Sequence, residues 1–103
     1  MKALRKPFES DVIGQKALEI LIRLAQPKRL WLFGSRARQD HKAGSDYDFA
    51  LEGPVLNSGE RWKVTEALEM LPTLRQFDVV WLDTASEFVR EQVSKEGICL
   101  YER

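Results

Sequence analysis

Two short runs, "RLWLF" (29–33) and "FDVVWLD" (77–83), constrain this chain more than any other feature. Each is apolar at nearly every consecutive position and too brief for an ordinary helix. That is the pattern of a strand covered on both faces. A chain with two such strands needs helices packed against its sheet.

The covering helices are legible on either side. From Ser10, a candidate N-cap, Ile13, Ala17, Ile20, Leu21 and Leu24 recur at helical spacing until Pro27. A second stripe, Val64, Ala67, Leu68 and Leu71, predicts a helix over about 60–71 that Pro72 stops. "TASE" (84–87) has the Thr-x-x-Glu form of a capping box and predicts a third helix through about Lys95, with Gly97 at its C-cap. "DYDFALE" (46–52) alternates as a strand, and "ICLYE" (98–102) reads as a last one. The order is helix, strand, strand, helix, strand, helix, strand. The fold class is α/β (α+β), a small mixed β-sheet flanked by helices. Residues 1–9 read as a flexible arm ahead of a single domain over 10–103.

Composition narrows the function classes. Sixteen basic and sixteen acidic side chains cancel, so no global field draws the chain to nucleic acid or anionic lipid. One cysteine, Cys99, excludes an internal disulfide and an all-cysteine metal cage, and it fits a reducing compartment. "MKALRKPFESD" lacks the apolar stretch of a signal peptide, and no apolar run approaches the ~20 residues that cross a bilayer. The expectation is a cytoplasmic protein with no membrane and no direct nucleic-acid partner.

The chemistry gathers in "LFGSRARQDHKAGSDYDFALEG" (32–53). Residues two apart on a strand share a face and lie ~6.6 Å apart along it. Asp46 and Asp48 therefore aim at one region, where two anions repel unless a divalent cation joins them. Carboxylate oxygens suit Mg²⁺, which typically brings phosphate oxygens with it. Gly34-Ser35, directly after a buried strand, allows close backbone approach to such a phosphate, and the serine hydroxyl adds a donor. No G-x-x-x-x-G-K-[ST] string is present, so the device is not a P-loop. Asp78, opening the strand at 77–83, is a third acid. On a neighbouring strand it could ligate a second metal or equally accept the proton of an attacking hydroxyl.

Glycine-serine, ten residues, D-x-D, and a third aspartate on a later strand resemble the polymerase β-like nucleotidyltransferase superfamily. The fuller strings "LFGSRAR", "SDYDFAL", "FDVVWLD" and "EGICLYER" are similar to its smallest branch, the minimal nucleotidyltransferases (MNT). These are the antitoxin half of HEPN–MNT toxin–antitoxin pairs, and the resemblance runs from about Leu30 to the last residue. It implies the nucleotidyltransferase fold and transfer of AMP from ATP, with Mg²⁺ as a pair of ions, to a tyrosine hydroxyl of a HEPN ribonuclease toxin. Carried over by position, Gly34 and Ser35 hold the triphosphate, and Asp46, Asp48 and Asp78 bind metal. Asp78 also serves as the base. The motif fixes no role for Arg36 and Arg38, whose candidate contacts are phosphate or partner acids. Larger members resemble this core plus a further domain, for which these 103 residues leave no room, so a hetero-oligomer with the toxin is expected. The alternative is an antitoxin that neutralises its toxin by binding alone, with a vestigial nucleotidyl site. A small-molecule nucleotidyltransferase is a third reading, opposed by the missing acceptor domain.

The remaining chemistry-bearing residues have plainer readings. His41 sits in a polar loop without a second ligand. Trp31, Trp81 and Tyr47 read as core, with Tyr47 pointing away from the acids. Trp62, near a helix start, is the one tryptophan placed to meet a partner or a base.

Overall fold

The computed structural model describes residues 2–3, 11–38 and 46–103. Its elements are β1 (Lys2–Ala3), α1 (Val12–Ala25), β2 (Arg29–Phe33), α2 (Ser35–Arg38), β3 (Tyr47–Glu52), α3 (Ser58–Glu69), β4 (Phe77–Trp81), α4 (Glu87–Glu96) and β5 (Ile98–Glu102). The strands form one mixed sheet in the order β1-β5-β2-β3-β4. β2 is antiparallel to both β3 and β5. The crossover through α3 makes β3 and β4 parallel.

Alternation along the strands sorts residues between two layers. Leu30 and Leu32 of β2, Tyr47, Phe49 and Leu51 of β3, and Leu100 of β5 turn to one face. There they pack with Ala17 and Leu21 of α1 and Val64 and Leu68 of α3. Tyr47 stacks between Phe49 and Phe77, at centroid distances of 6.0 and 5.2 Å. Each large side chain fully buried here contributes about 1.5–3 kcal/mol. Phe33, Ala50 and Val80 turn to the other face, where Val93 and Val89 of α4 cover them. β2 is thus covered on both faces, as its composition requires. β4 instead lies at the sheet edge with Phe77, Val79 and Val80 half-buried and Asp78 exposed, because no strand pairs with its outer side among the described residues.

Local chemistry moves several boundaries. The predicted N-cap Ser10 lies outside the described residues, and Asp11 caps α1 by accepting from the Gly14 N–H at 3.0 Å. Asn57 and Glu60 form a reciprocal capping box that starts α3 at Ser58. Thr84 does not cap α4: its N–H and hydroxyl both donate to the Trp81 carbonyl in a turn, and Ser86 caps instead. The strand predicted over 77–83 accordingly ends at Trp81. Gly97 does end α4, but in an extended conformation (φ −69°). The glycine is needed because a Cβ there would meet the Val93 carbonyl oxygen at 2.4 Å. Within the segment read as a loose arm, Lys2–Ala3 pair with Glu102 and Tyr101 of β5, while residues 4–9 lie outside the described residues. Among the described residues no helix is long and apolar enough to cross a membrane.

Candidate functional site

β2 ends at Phe33, and the chain turns at once through Gly34 into the four-residue α2. Gly34 has φ +77°, a region an L side chain enters only at a cost. It is also filled space, since a Cβ on Gly34 would lie 2.3 Å from Asp48 Oδ2 and 3.1 Å from Asp48 Cγ. The glycine therefore serves two ends. It permits the turn, and it lets the aspartate carboxylate lie against the backbone.

Asp48 reaches this position because β3 pairs Asp48 with Phe33 on one side and, in parallel register, with Asp78 on the other. Its strand neighbours Tyr47 and Phe49 are buried in the larger core, so Asp48 turns to the α4 side. Asp78 alternates with Phe77 and Val79 in the same way. The two acids therefore stand side by side on one face. Burial pushes the Asp48 carboxyl above its ordinary value, and the charges of Asp78 and then Asp46 push it further, against the opposing pull of Arg38.

Asp46 sits one residue before β3, exposed, and its carboxylate accepts the Gln76 N–H at 3.0 Å. The reciprocal bond from the Tyr47 N–H to the Gln76 carbonyl, also 3.0 Å, ties the starts of β3 and β4 together. The expectation of three acids on adjacent strands thus resolves into an in-register pair, Asp48 and Asp78, with Asp46 at the strand mouth. Among the described residues no group of three or more His, Cys, Asp or Glu is close enough to hold a metal unaided.

The cations of the site are partly described. Arg38 donates through Nη1 to both carboxylate oxygens of Glu96, at 3.1 and 3.2 Å. Ser35 and Arg36 lie on α2, one and two residues past the glycine. Glu96, the last residue of α4, was not singled out by sequence reasoning. It also accepts the Gly34 N–H at 3.0 Å and the Gln92 side-chain N–H at 3.1 Å. Burial works to raise its carboxyl, but the bonds from Gln92, Gly34 and Arg38 outweigh that and hold it below the usual range. No motif signals this residue, because the two partners that tie it to the turn, Arg38 and Gly34, lie 58 and 62 positions away.

The surroundings separate structural from accessible groups. Tyr47 is fully buried, with its hydroxyl donating to Asp11 and accepting from Arg75 Nη1 at 2.6 Å. Trp62 is 60% exposed, whereas Trp31 and Trp81 are half-buried in strands. Burial raises the Cys99 thiol, which suits an inert role. His41 lies outside the described residues. An open groove of about 640 Å³ runs along the free edge of β4 and is lined by Thr65, Leu71, Leu74, Gln76 and Asp78.

Comparison with known proteins agrees with this geometry. The family model for polymerase beta nucleotidyltransferases matches residues 15–103. A solved toxin–antitoxin with AMP-PNP is 27% identical, with a TM-score of 0.66 over 87% of this chain and 74% of the other. The toxin–antitoxin MntA–HepT is also 27% identical, with a TM-score of 0.64 over 89% of this chain and 72% of that one. A third structure is an MNT antitoxin in complex with a tri-AMPylated HEPN toxin of Shewanella oneidensis. It is 26% identical, with a TM-score of 0.65 over 89% of this chain and 71% of its own. No curated protein matches the sequence. With the family model spanning most of its length, the chain belongs to the polymerase beta nucleotidyltransferase family, with MntA/MNT antitoxins of HEPN–MNT complexes among its structural neighbours.

Proposed function

We propose that this chain is a magnesium-dependent adenylyltransferase antitoxin that moves AMP from ATP to a tyrosine hydroxyl of a HEPN ribonuclease toxin. The observation that carries the proposal is the in-register pair Asp48–Asp78 beside the Gly34 turn. Like charges in neighbouring positions, one of them held above its ordinary pKa, form a site that a cation relieves. Mg²⁺ suits it because this ion takes one or two carboxylates and completes its shell with substrate phosphates and water rather than a full protein cage. The pair Asp48 and Asp78, with Asp46 at the mouth, would hold it. Bound there, Mg²⁺ would neutralise triphosphate charge and stabilise the entering and leaving oxygens.

The chain's own residues divide the remaining work. Gly34 and Ser35 bring backbone close to the triphosphate, while Arg36 and Arg38 add positive charge beside it. Asp78 is exposed, so an acceptor hydroxyl on another molecule can reach it. Asp78 takes the tyrosine proton as the phenolic oxygen bonds to the α-phosphorus. The bond from that phosphorus to the α–β bridging oxygen breaks, and pyrophosphate leaves with the electron pair. The groove beside Asp78 offers room for the acceptor segment. A neighbour solved with a tri-AMPylated toxin and another with AMP-PNP support the choice of nucleotide and acceptor.

The test is incubation with labelled ATP, Mg²⁺ and the cognate toxin. Label should reach the toxin with the wild-type chain and not with Asp46→Ala/Asp48→Ala. Transfer that survives in the double variant would remove the mechanism. Full protection of toxin-expressing cells by that variant would instead favour an antitoxin that works by binding alone.

A further inference from the structure

The geometry points to Glu96 as the positioning residue of the phosphate turn: one carboxylate holds both the Gly34 N–H that leads into α2 and the Arg38 guanidinium that ends it. The inference rests on the reading of this turn as the triphosphate site.

A four-residue helix cannot hold its own shape. Fixing the first turn costs more than its single hydrogen bond returns, so an isolated segment this short stays unformed. Contacts from outside must hold α2, and Glu96 supplies one at each end. Its Oε1 accepts from the Gly34 N–H at 3.0 Å and from Arg38 Nη1 at 3.1 Å. Gln92, one helical turn earlier on α4, donates to the same oxygen at 3.1 Å and fixes the carboxylate from behind. Bonds to a charged acceptor are shorter and stronger than neutral ones, and the side chain is only 22% exposed, which limits competition from water.

The arrangement also reaches Asp48. The Glu96 charge adds to the push on the Asp48 carboxyl, so the two acids share one neighbourhood. Asp48 lies against Gly34 from the β3 side, and Glu96 bonds to Gly34 from α4. The turn is therefore braced between two carboxylates, one assigned to the cation and one to the backbone. With Glu96 spent on Gly34 and Arg38, the turn enters nucleotide binding already shaped, and no ordering cost falls on the ligand.

The measurement pairs two readouts on the full chain with Glu96→Ala, Glu96→Gln and Gln92→Ala. Amide hydrogen exchange without nucleotide reports the clamp itself. Gly34 should lose protection in Glu96→Ala, keep part of it in Glu96→Gln, and weaken in Gln92→Ala. Calorimetry with Mg²⁺ and AMP-PNP reports positioning. The dissociation constant should rise about tenfold in Glu96→Ala, the scale of one lost charge-assisted hydrogen bond, and less in the other two. In toxin AMPylation the KM for ATP should rise with kcat changed less than about twofold, the pattern of lost uniform binding. Unchanged Gly34 exchange in all three variants would overturn the inference. So would lost protection with unaltered nucleotide affinity, which would make the contact merely structural. Tighter binding by Glu96→Ala would likewise overturn it, since Glu96 would then be competing with the phosphate. Failure of the wild-type chain to bind AMP-PNP would count against the nucleotidyl reading, while the exchange data would still decide the clamp.

Discussion

The carboxylate of Asp48 occupies the space in which a side chain on residue 34 would begin, with Oδ2 2.3 Å from where a Gly34 Cβ would stand. Two motifs fourteen positions apart in the chain are in this way one object. A glycine is required at one so that the acid at the other can be where it is.

Gly34→Ala should therefore cost more than conformational strain. The positive φ alone accounts for roughly 1–2 kcal/mol of lost stability in denaturant unfolding. The added Cβ also forces Asp48 aside, so AMP transfer should fall by more than the stability loss explains. In an Asp48→Ala background the same glycine substitution should cost less, because the clash is gone and only the φ strain stays. Equal costs in both backgrounds would contradict the close approach.

Asp48→Asn separates stability from activity. The folded-state carboxyl titrates above its unfolded value, so the fold is favoured by this group at low pH, and that advantage is lost as pH rises through the folded pKa. Removing the charge should raise the melting temperature by a few degrees near pH 7, with the gain vanishing near or below roughly pH 4. AMP transfer should disappear. Adding Mg²⁺ and AMP-PNP should narrow the gap by stabilising only the wild type. Melting curves across pH, with and without ligand, check each sign.

Glu96 behaves oppositely. Its folded-state value is lowered, so its stabilisation is present at neutral pH and is lost as pH falls through that value. The melting-temperature difference between wild type and Glu96→Gln should be greatest near neutrality and close in acid. A difference that grows on acidification would contradict the bonds to Gly34 and Arg38.

Tyr47→Phe tests the neighbouring core without touching the chemistry. The hydroxyl bonds Asp11 and Arg75 at the edge of the larger core, and Tyr47 turns to the face opposite Asp48. Its loss should cost about 1.5–3 kcal/mol in urea unfolding, the scale of a hydrogen bond to a charged partner, while Asp11 and Arg75 keep their own ion pair. Affinity for AMP-PNP should stay within about twofold, since one retained charge network does not serve the other face.

Much of this was legible in the chain, and the gaps have physical causes. The apolar run at 29–33 specified a covered strand because burial on both faces leaves little room for polar residues. The run at 77–83 specified a strand that the topology places, half-buried, at the sheet edge. Alternation in β3 placed Tyr47 opposite Asp48, since strand periodicity is strict. Caps were less secure. Thr84 and Ser86 offer equivalent hydroxyls two residues apart, and the turn that follows Trp81 decided between them. Asn57–Glu60 forms a capping box that an asparagine in a glycine- and proline-rich turn does not announce. Glu96 was out of reach altogether. Its meaning comes from β2 and β5 lying side by side, which brings the end of α4 to the start of α2. Pairings that depend on topology leave no local mark.

Calorimetric titration of AMP-PNP into the wild-type chain and into Asp48→Asn/Asp78→Asn, each with and without Mg²⁺, tests the central claim most directly. The acid pair as the cation-bridged triphosphate site requires binding by the wild type that depends on Mg²⁺ and is lost in the double variant. Binding that ignores the metal, or that survives removal of both carboxylates, would contradict it.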